Sequence, residues 1–180
     1  MSRETALGKL EAAKSENTVD PEVIPLIDKI NSGRNYTTSS CAGRIYLYEI
    51  AGFGEKFTLN PLGKWHGEVA EGEFLSAIKT HTHFQLWLKV QPPIIHVACP
   101  DLEAANQLLK KAYGSGFKYS SIKSTDPFLV EITSSELMEV PLGEAGKLFV
   151  TDEYLQKLLH ISNQKLKKSQ SKINRLLETL

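Results

Sequence analysis

The stretch FQLWLKVQPPIIHVAC, residues 84–99, decides the class of fold. It holds two runs rich in β-branched, aromatic and aliphatic side chains, Phe84–Val90 and Ile94–Cys99, which suit a pleated sheet. Gln91–Pro92–Pro93 separates the runs, and proline removes the N–H donor that a sheet requires. We therefore predict two strands that either pair with each other or end at this loop.

Helical patterns lie on both sides of these strands. After them, Asp101–Tyr113 predicts a helix that Asp101 caps and that Gly114–Ser115–Gly116 ends. Before them, Asp20 is a suitable N-cap for a helix with Pro21 at its first position. Further helices are predicted over residues 2–15, 71–80 and 151–177.

Several shorter segments predict more strands, joined by polar turns such as Ala51–Gly54 and Asn60–Gly63. They are Arg44–Ile50, Lys56–Leu59, Lys64–Val69, Phe117–Ile122, Pro127–Ile132 and Glu136–Val140. Because helices and strands are mixed throughout, the predicted class is α/β or α+β. We expect a single domain over residues 1–180, with a mixed β-sheet packed against helices and a long C-terminal helix.

Composition sets the broad class of protein. The 180 residues are 41% hydrophobic and 23% charged, which fits a compact domain with a core. No run approaches the roughly 18 apolar residues of a membrane span, and the N-terminus is charged from Arg3 onward. We therefore expect a cytoplasmic protein that does not contact a membrane. Its two cysteines, Cys41 and Cys99, are expected to be reduced thiols.

Net charge alone does not indicate a nucleic-acid partner, because Lys+Arg and Asp+Glu are both 21. The last predicted helix is nevertheless basic, with no acidic residue between Tyr154 and Glu178. Either this is a solvated helix face, or it contacts phosphates. The basic residues concerned are Lys157, Lys165, Lys167, Lys168, Lys172 and Arg175.

The segment TTSSCAGR, Thr37–Arg44, has the most distinctive chemistry. Four hydroxyls, a thiol, a glycine and an arginine suit a loop that binds an anionic group. The alternative is a turn whose hydroxyls cap backbone groups, with Cys41 as a small buried side chain. A nucleophilic Cys41 would need a base to lower its pKa, and none is adjacent in sequence.

Four histidines and one acid are further candidates. His96 lies in an apolar strand and is either a core residue or a catalytic one, and the same question applies to His66. His81 and His83 are one residue apart, but no third ligand is indicated, so no metal site is predicted. Asp20 is explained by helix capping, although a catalytic role stays open.

Gly52–Phe53–Gly54 lacks the third glycine and the following helix of a dinucleotide-binding loop. Any nucleotide-type cofactor is therefore expected to bind in a non-Rossmann manner.

Together these segments resemble the tRNA wybutosine-synthesizing protein 3 family in its single-domain archaeal form. The family motif Ser-x-Ser-Ser-Cys-x-Gly-Arg is matched by Thr37, Ser39, Ser40, Cys41, Gly43 and Arg44, with threonine replacing the first serine. The resemblance extends nearly end to end, through VDPEVIPLIDKIN (19–31), QPPIIHVACPDLEAA (91–105) and LMEVPLGEAGKLFVTDEYLQKLL (137–159).

The resemblance implies an S-adenosylmethionine-dependent tRNA methyltransferase. Its expected substrate is the N4 nitrogen of 7-(3-amino-3-carboxypropyl)-4-demethylwyosine at position 37 of phenylalanine tRNA, in wybutosine biosynthesis. By position, the family's acidic residue and histidine fall on Asp20 and His96, and Ser39 is a third catalytic candidate. No obligatory protein partner is expected. Expected cofactor contacts are Thr37, Ser39, Ser40, Cys41, Gly43, Arg44 and His66.

We expect the tRNA to bind through Arg34 and the basic residues of the last helix, Lys165, Lys167, Lys168, Lys172 and Arg175. Two other functions are considered. One is a non-catalytic module that binds tRNA or the cofactor. The other is a thiol hydrolase that would use Cys41 and His96.

Overall fold

The structure, a computed structural model, describes residues 1–52, 55 and 58–180. The Gly-x-Gly at residues 52–54 and the strand expected at residues 56–59 lie largely outside the described residues. The chain divides into two compact units. The first comprises residues 1–42, 92–135 and 169–180, and the second comprises residues 43–91 and 136–168.

The first unit is built on a four-stranded antiparallel sheet with the strand order β1-β5-β7-β6. Its strands are β1 (Tyr36–Cys41), β5 (Ile94–Cys99), β6 (Ser121–Thr125) and β7 (Phe128–Ile132). Its complete helices are α1 (Arg3–Ser15), α2 (Ile24–Asn31) and α4 (Leu102–Gly114), and a 3-10 turn, Pro21–Val23, precedes α2.

One face of this sheet carries the core of the first unit. Along β5, Ile95, Val97 and Cys99 belong to the core cluster, together with Val130 and Ile132 of β7. Because successive side chains of a strand point to opposite faces, the residues between them belong to the other face. That other face holds the polar side chains described below.

The second unit is built on a five-stranded antiparallel sheet with the order β3-β2-β4-β8-β9. Its strands are β2 (Arg44–Ile50), β3 (Asn60–Trp65), β4 (Gln85–Gln91), β8 (Met138–Glu144) and β9 (Lys147–Leu148). Helix α3 is Glu71–Ile78, and helix α5 is Asp152–Thr179. The residues of α5 up to Lys168 belong to this unit, and those from Ser169 onward belong to the first.

The core of the second unit contains fully buried aliphatic and aromatic side chains. Leu47, Leu86 and Leu88 alternate along β2 and β4, and Phe74 of α3 and Leu155 of α5 belong to the same cluster. Each buried side chain of this size stabilises the fold by about 1.5–3 kcal/mol relative to its exposed form. No helix among the described residues is long and apolar enough to cross a membrane.

The predicted class is confirmed, and so are both helices with clear boundaries, α4 and α5. Asp101 caps α4 as expected, accepting a hydrogen bond of 2.8 Å from the Ala104 N–H. One mixed sheet was expected, whereas the strands form two antiparallel sheets. The strands β4 and β5 therefore do not pair with each other: they end at Gln91–Pro93 and enter different sheets. The single domain over residues 1–180 stays a prediction.

Two turn predictions are wrong. Asn60–Gly63 lies in β3 instead of a turn. Proline is tolerated there because β3 is an edge strand, whose outer N–H groups need no partner in the sheet. The polar segment after Tyr36 is also a strand, β1, and it forms the base of the candidate site.

Candidate functional site

The hydroxyl-rich segment is not a loop, because residues 37–41 lie in β1 and pair with β5. Thr37 is only 5% exposed, and its N–H donates to Asn31 Oδ1 at 2.8 Å. The Thr37 hydroxyl lies 3.1 Å from each of the two polar side-chain atoms of Asn31, Nδ2 and Oδ1. Thr37 therefore anchors β1 to the end of α2, which leaves it poorly suited to the cofactor contact predicted for it.

A β-bulge in β1 sets the direction of the next side chains. The register with β5 shifts between Thr37 and Ser39, so that Ser39 lies directly opposite His96. Bulges of this kind re-aim side chains and are frequent beside active sites. The Ser39 hydroxyl lies 2.8 Å from His96 Nδ1. The structure thus brings together two of the three predicted catalytic residues.

His96 is not a core residue, since it projects from the face opposite Ile95 and Val97. Its second ring nitrogen, Nε2, lies 3.1 Å from Oε2 of Glu131 on the neighbouring strand β7. A carboxylate accepts hydrogen bonds only, so Nε2 carries a hydrogen and donates it. In the neutral imidazole, Nδ1 is then an acceptor, and the Ser39 hydroxyl donates to it. His96 is placed to take a proton from Ser39.

Glu131 and its partner Lys123 were missed in the sequence. The Lys123 ammonium lies 2.7 Å from Glu131 Oε1, so that the two carboxylate oxygens bind different donors. The available signal was that Glu131 is the only charged residue in FLVEI, residues 128–132. Its side chain is 18% exposed, which is low for an acid in a strand with a polar face.

Asp20 does not cap a helix with its side chain, contrary to the prediction. Its Oδ2 instead accepts a hydrogen bond of 2.6 Å from the Ala42 N–H. This bond fixes the chain just after β1, where Gly43 follows with φ +90°. The left-handed conformation favours glycine, which explains the motif's Gly43 in physical terms. Asp20 therefore holds the end of the motif and brings a carboxylate to it.

Of the other predicted cofactor residues, Arg44 and His66 belong to the second unit, and Ser40 belongs to the sheet of the first. The Arg44 Nε–H donates to Gln91 Oε1 at 3.0 Å, and its guanidinium lies 5.6 Å from the centre of the Tyr46 ring. His66 directly follows β3 and is half-buried. Ser40 lies in β1, opposite Ile95.

Two cavities border β1. One, of about 280 Å³, lies between α1 and β1 and is lined by Lys9, Leu10 and residues 37–40, among others. The other, of about 240 Å³, is mostly apolar and is lined by Tyr36, Ala98 and Leu129 among others. The hydroxyl-bearing strand thus forms one wall of each cavity.

The two cysteines differ in environment. Burial, with Asp101 nearby, raises the pKa of the Cys99 thiol to about 11, so it is inert at neutral pH. Cys41 is partly exposed, at the end of β1. Both nitrogens of His96 are engaged by Ser39 and Glu131, which does not fit a thiol hydrolase that uses His96 as the base for Cys41.

His81 and His83, which are one residue apart in the sequence, lie in different environments. The His81 side chain is 4% exposed, and its Nε2 lies 2.9 Å from the Phe84 carbonyl oxygen, whereas His83 is exposed. Glu49, also buried, lies 3.7 Å from the same His81 nitrogen.

Most of the predicted tRNA contacts are at the surface. Lys167, Lys168 and Arg175 are exposed, as is Arg34, which pairs with Asp101 at 3.2 Å. Lys168 lies 3.4 Å from Glu136, and Lys165 reaches the Leu137 carbonyl oxygen at 3.4 Å. Lys172 does not fit the prediction, because it is only 5% exposed.

Comparisons with known proteins agree over the full length of the chain. Residues 1–180 match the family model described as Methyltransferase TYW3. A protein of Pyrococcus horikoshii named tRNA(Phe) 7-((3-amino-3-carboxypropyl)-4-demethylwyosine(37)-N(4))-methyltransferase 1 is 47% identical over 178 residues, which cover 97% of this chain and 91% of the relative. A Thermococcus kodakarensis protein of the same name is 45% identical over 181 residues, covering 99% and 91%.

Solved structures share the fold of this chain. The structure of PH1069 protein from Pyrococcus horikoshii has a TM-score of 0.93 and 46% identity, and the match covers 98% of this chain and 93% of that one. The crystal structure of a hypothetical protein from Aeropyrum pernix has a TM-score of 0.76 and 32% identity, covering 89% and 96%. Because the family model spans the whole chain and these relatives match nearly all of it, the chain belongs to the TYW3 methyltransferase family.

Proposed function

We propose that this protein transfers a methyl group from S-adenosylmethionine to N4 of 7-(3-amino-3-carboxypropyl)-4-demethylwyosine at position 37 of phenylalanine tRNA. Membership of a methyltransferase family supports the reaction class, and the names of the relatives supply the substrate. The observation that carries the proposal is the Ser39–His96 hydrogen bond, because it provides the proton acceptor that methylation of a ring N–H requires.

The cavity between α1 and β1 has the chemistry to hold part of the cofactor. Its lining residues include Ser39, Ser40 and Lys9, whose side-chain types suit the carboxylate of a methionine moiety. Its volume of about 280 Å³ is slightly below the roughly 300–1,000 Å³ of typical ligand pockets. It therefore fits the amino-acid end of the cofactor better than the whole molecule. Cys41, Gly43, Arg44 and His66 are proposed as the other contacts.

When bound, S-adenosylmethionine would supply an electrophilic methyl group, and its sulfur would leave with the electron pair of the broken carbon–sulfur bond. The protein's part is to hold the target nitrogen in line for this displacement, since alignment supplies much of the rate enhancement of such reactions. The target nitrogen must also lose its proton.

We assign that proton to the Ser39–His96 pair. The N4–H proton passes to Ser39 Oγ as the Ser39 hydroxyl proton passes to His96 Nδ1, the acceptor 2.8 Å away. The imidazolium that forms keeps its Nε2 hydrogen bond to the Glu131 carboxylate, whose Oε2 is 3.1 Å away. Asp20, which accepts a hydrogen bond from the Ala42 N–H, is proposed to act through the negative charge that it brings to the end of the motif.

The tRNA is proposed to bind through the exposed cations Arg34, Lys167, Lys168 and Arg175, together with the partly buried Lys165. Binding by such contacts weakens as salt concentration rises, because phosphate neutralisation releases counterions. A cytoplasmic location and independence of an obligatory protein partner stay predictions from the sequence.

The test is transfer of labelled methyl from S-adenosylmethionine to phenylalanine tRNA that carries the demethylated precursor, followed by nucleoside mass analysis. Unmodified tRNA of the same sequence is the control. We expect a mass gain of one methyl group on the precursor base alone. Binding of the tRNA or of the cofactor without any transfer would contradict the proposal and indicate a non-catalytic binding module.

A further inference from the structure

A line of polar side chains crosses all four strands of the first unit's sheet. It runs from Ser39 on β1 to His96 on β5, then to Glu131 on β7 and Lys123 on β6. We propose that Glu131, held by Lys123, is a positioning residue that fixes the tautomer and the orientation of His96 during methyl transfer. This inference rests on the proposed function, which assigns the proton to His96.

The register of the sheet places these residues in line. Ser39 pairs with His96, and His96 pairs with Glu131. The two outer strands each have a register shift at this level, between Thr37 and Ser39 in β1 and between Ile122 and Ser124 in β6. The second shift falls on Lys123. Because bulges redirect side chains, the directions of Ser39 and Lys123, at the two ends of the line, depend on the register shifts in their strands.

The two oxygens of Glu131 have separate partners, and this division fixes its position. Oε2 accepts from His96 Nε2 at 3.1 Å, and Oε1 accepts from Lys123 Nζ at 2.7 Å. The exposed fraction of the side chain falls from 47% at Lys123 to 18% at Glu131. A pair formed only between exposed groups contributes little to stability. Here the lysine contacts a carboxylate that is mostly shielded and that has a second hydrogen bond to the imidazole.

The carboxylate determines which ring nitrogen of His96 can accept a proton. With a carboxylate beside it, Nε2 keeps its hydrogen, and Nδ1 is the acceptor that faces Ser39. An amide in place of the carboxylate can donate its own N–H to Nε2, which allows the hydrogen to move to Nδ1. Ser39 would then face an N–H and would have no acceptor for its proton.

The test compares Glu131→Gln, Glu131→Asp and Lys123→Met with the wild type. The matched controls are Glu103→Gln and Lys118→Met, which remove the same charges from exposed positions of the first unit. The first readout is the pair of ¹⁵N shifts of the His96 ring, measured at a pH at which imidazole is neutral. The second is kcat and KM for methyl transfer, with the melting temperature of each variant recorded.

We expect the wild type to show a protonated Nε2 and a bare Nδ1, and Glu131→Gln to shift the hydrogen toward Nδ1. In the same variant, kcat should fall by about 10–100-fold with KM changed little, as for other residues that orient a catalytic group. Glu131→Asp should restore part of kcat, and Lys123→Met should lower it less than Glu131→Gln. Both control variants should match the wild type.

Two results overturn the inference. One is a wild-type ring with its hydrogen on Nδ1, and the other is a Glu131→Gln variant that folds and keeps both the wild-type tautomer and kcat. If Glu131→Gln does not fold, the Lys123→Met variant decides, because it leaves the carboxylate in place. Wild-type ¹⁵N shifts of the His96 ring and wild-type kcat in that variant would then refute the role of the lysine–glutamate pair. If the wild type transfers no methyl, the proposed function fails first, and the ring spectrum alone reports whether Glu131 controls the tautomer.

Discussion

Both sheets of this protein carry polar side chains that are linked across strands, but the two groups are built differently. In the five-stranded sheet, the Tyr48 hydroxyl and the Lys89 ammonium both donate to Glu139 Oε1, at 2.7 and 3.0 Å. In the four-stranded sheet, each link joins a different pair of atoms, and the line ends at the exposed hydroxyl of Ser39.

The difference separates a cluster that links strands from the line to which we assign the proton transfer. In the Tyr48 cluster, two donors share one carboxylate oxygen of Glu139. Burial, with the Glu139 carboxylate beside it, raises the pKa of Tyr48, so the phenol stays neutral. In the other sheet, a histidine lies between an acid and an exposed hydroxyl. A proton can pass along this arrangement from the Ser39 hydroxyl to His96, whereas the Tyr48 cluster contains no such donor and acceptor pair.

The strongest way to break this comparison is to remove one hydroxyl from each sheet. Ser39→Ala should lower methyl transfer by about 10²–10⁴-fold, because the target proton loses its path to His96. Tyr48→Phe should leave transfer unchanged and cost about 0.5–1.5 kcal/mol of stability, the net value of one hydrogen bond. Single-turnover transfer and thermal unfolding of both variants check these values.

Equal activity of the two hydroxyl variants would show that the exposed end of the line has no chemical role. Binding of tRNA by Ser39→Ala, followed at a fixed salt concentration, is the control. It should match the wild type, since Ser39 is not among the proposed phosphate contacts.

Two roles of Asp20 can be compared: its hydrogen bond to the Ala42 N–H, and the effect of its negative charge on methyl transfer. Asp20→Asn keeps an acceptor for the Ala42 N–H, so unfolding free energy should change little, while loss of the negative charge should lower transfer tenfold or more. Asp20→Ala removes the acceptor of a buried N–H and should also cost about 1–3 kcal/mol of stability. Melting temperature and turnover of both variants separate the two roles. An Asp20→Asn variant with full turnover would restrict Asp20 to a structural role.

Local sequence signals predicted the elements that depend on local interactions. The cap at Asp101 and the periodicity of the last helix correctly gave α4 and α5, since capping and helical faces involve residues three or four positions apart. The motif Thr37–Arg44 was found because its residue types are unusual together. The conformation of this motif was not predicted, because hydroxyl-rich segments are typical of turns. Its strand, β1, also pairs with β5, which is over 50 residues away in the chain.

The same limit explains what was missed in the site. His96 was identified, but its hydrogen-bond partner Glu131 was not. Glu131 is 35 residues later in the chain and meets His96 through the register of two strands. Asp20 was correctly noted and wrongly explained, since its side chain bonds to Ala42 instead of the helix that follows it. Pairings of this kind are set by tertiary structure, and no pattern along the chain encodes them.

The smallest expected effect concerns the acid of the Tyr48 cluster. Burial acts to raise the pKa of Glu139, but hydrogen bonds from Tyr48 and Lys89 outweigh it and hold that pKa below its ordinary value of 4.5. A lowered pKa in the folded state stabilises the fold above the unfolded value and loses that contribution as pH falls through the folded value. Glu139→Gln should therefore lower the unfolding free energy at pH 7 by about 1 kcal/mol or less, because the ion pair is partly exposed. Urea unfolding from pH 7 to pH 3 should show this difference shrinking below about pH 4.5, with transfer unaffected at pH 7. A constant difference across that range would mean that the carboxylate's charge contributes nothing, and that the cluster is held by packing alone.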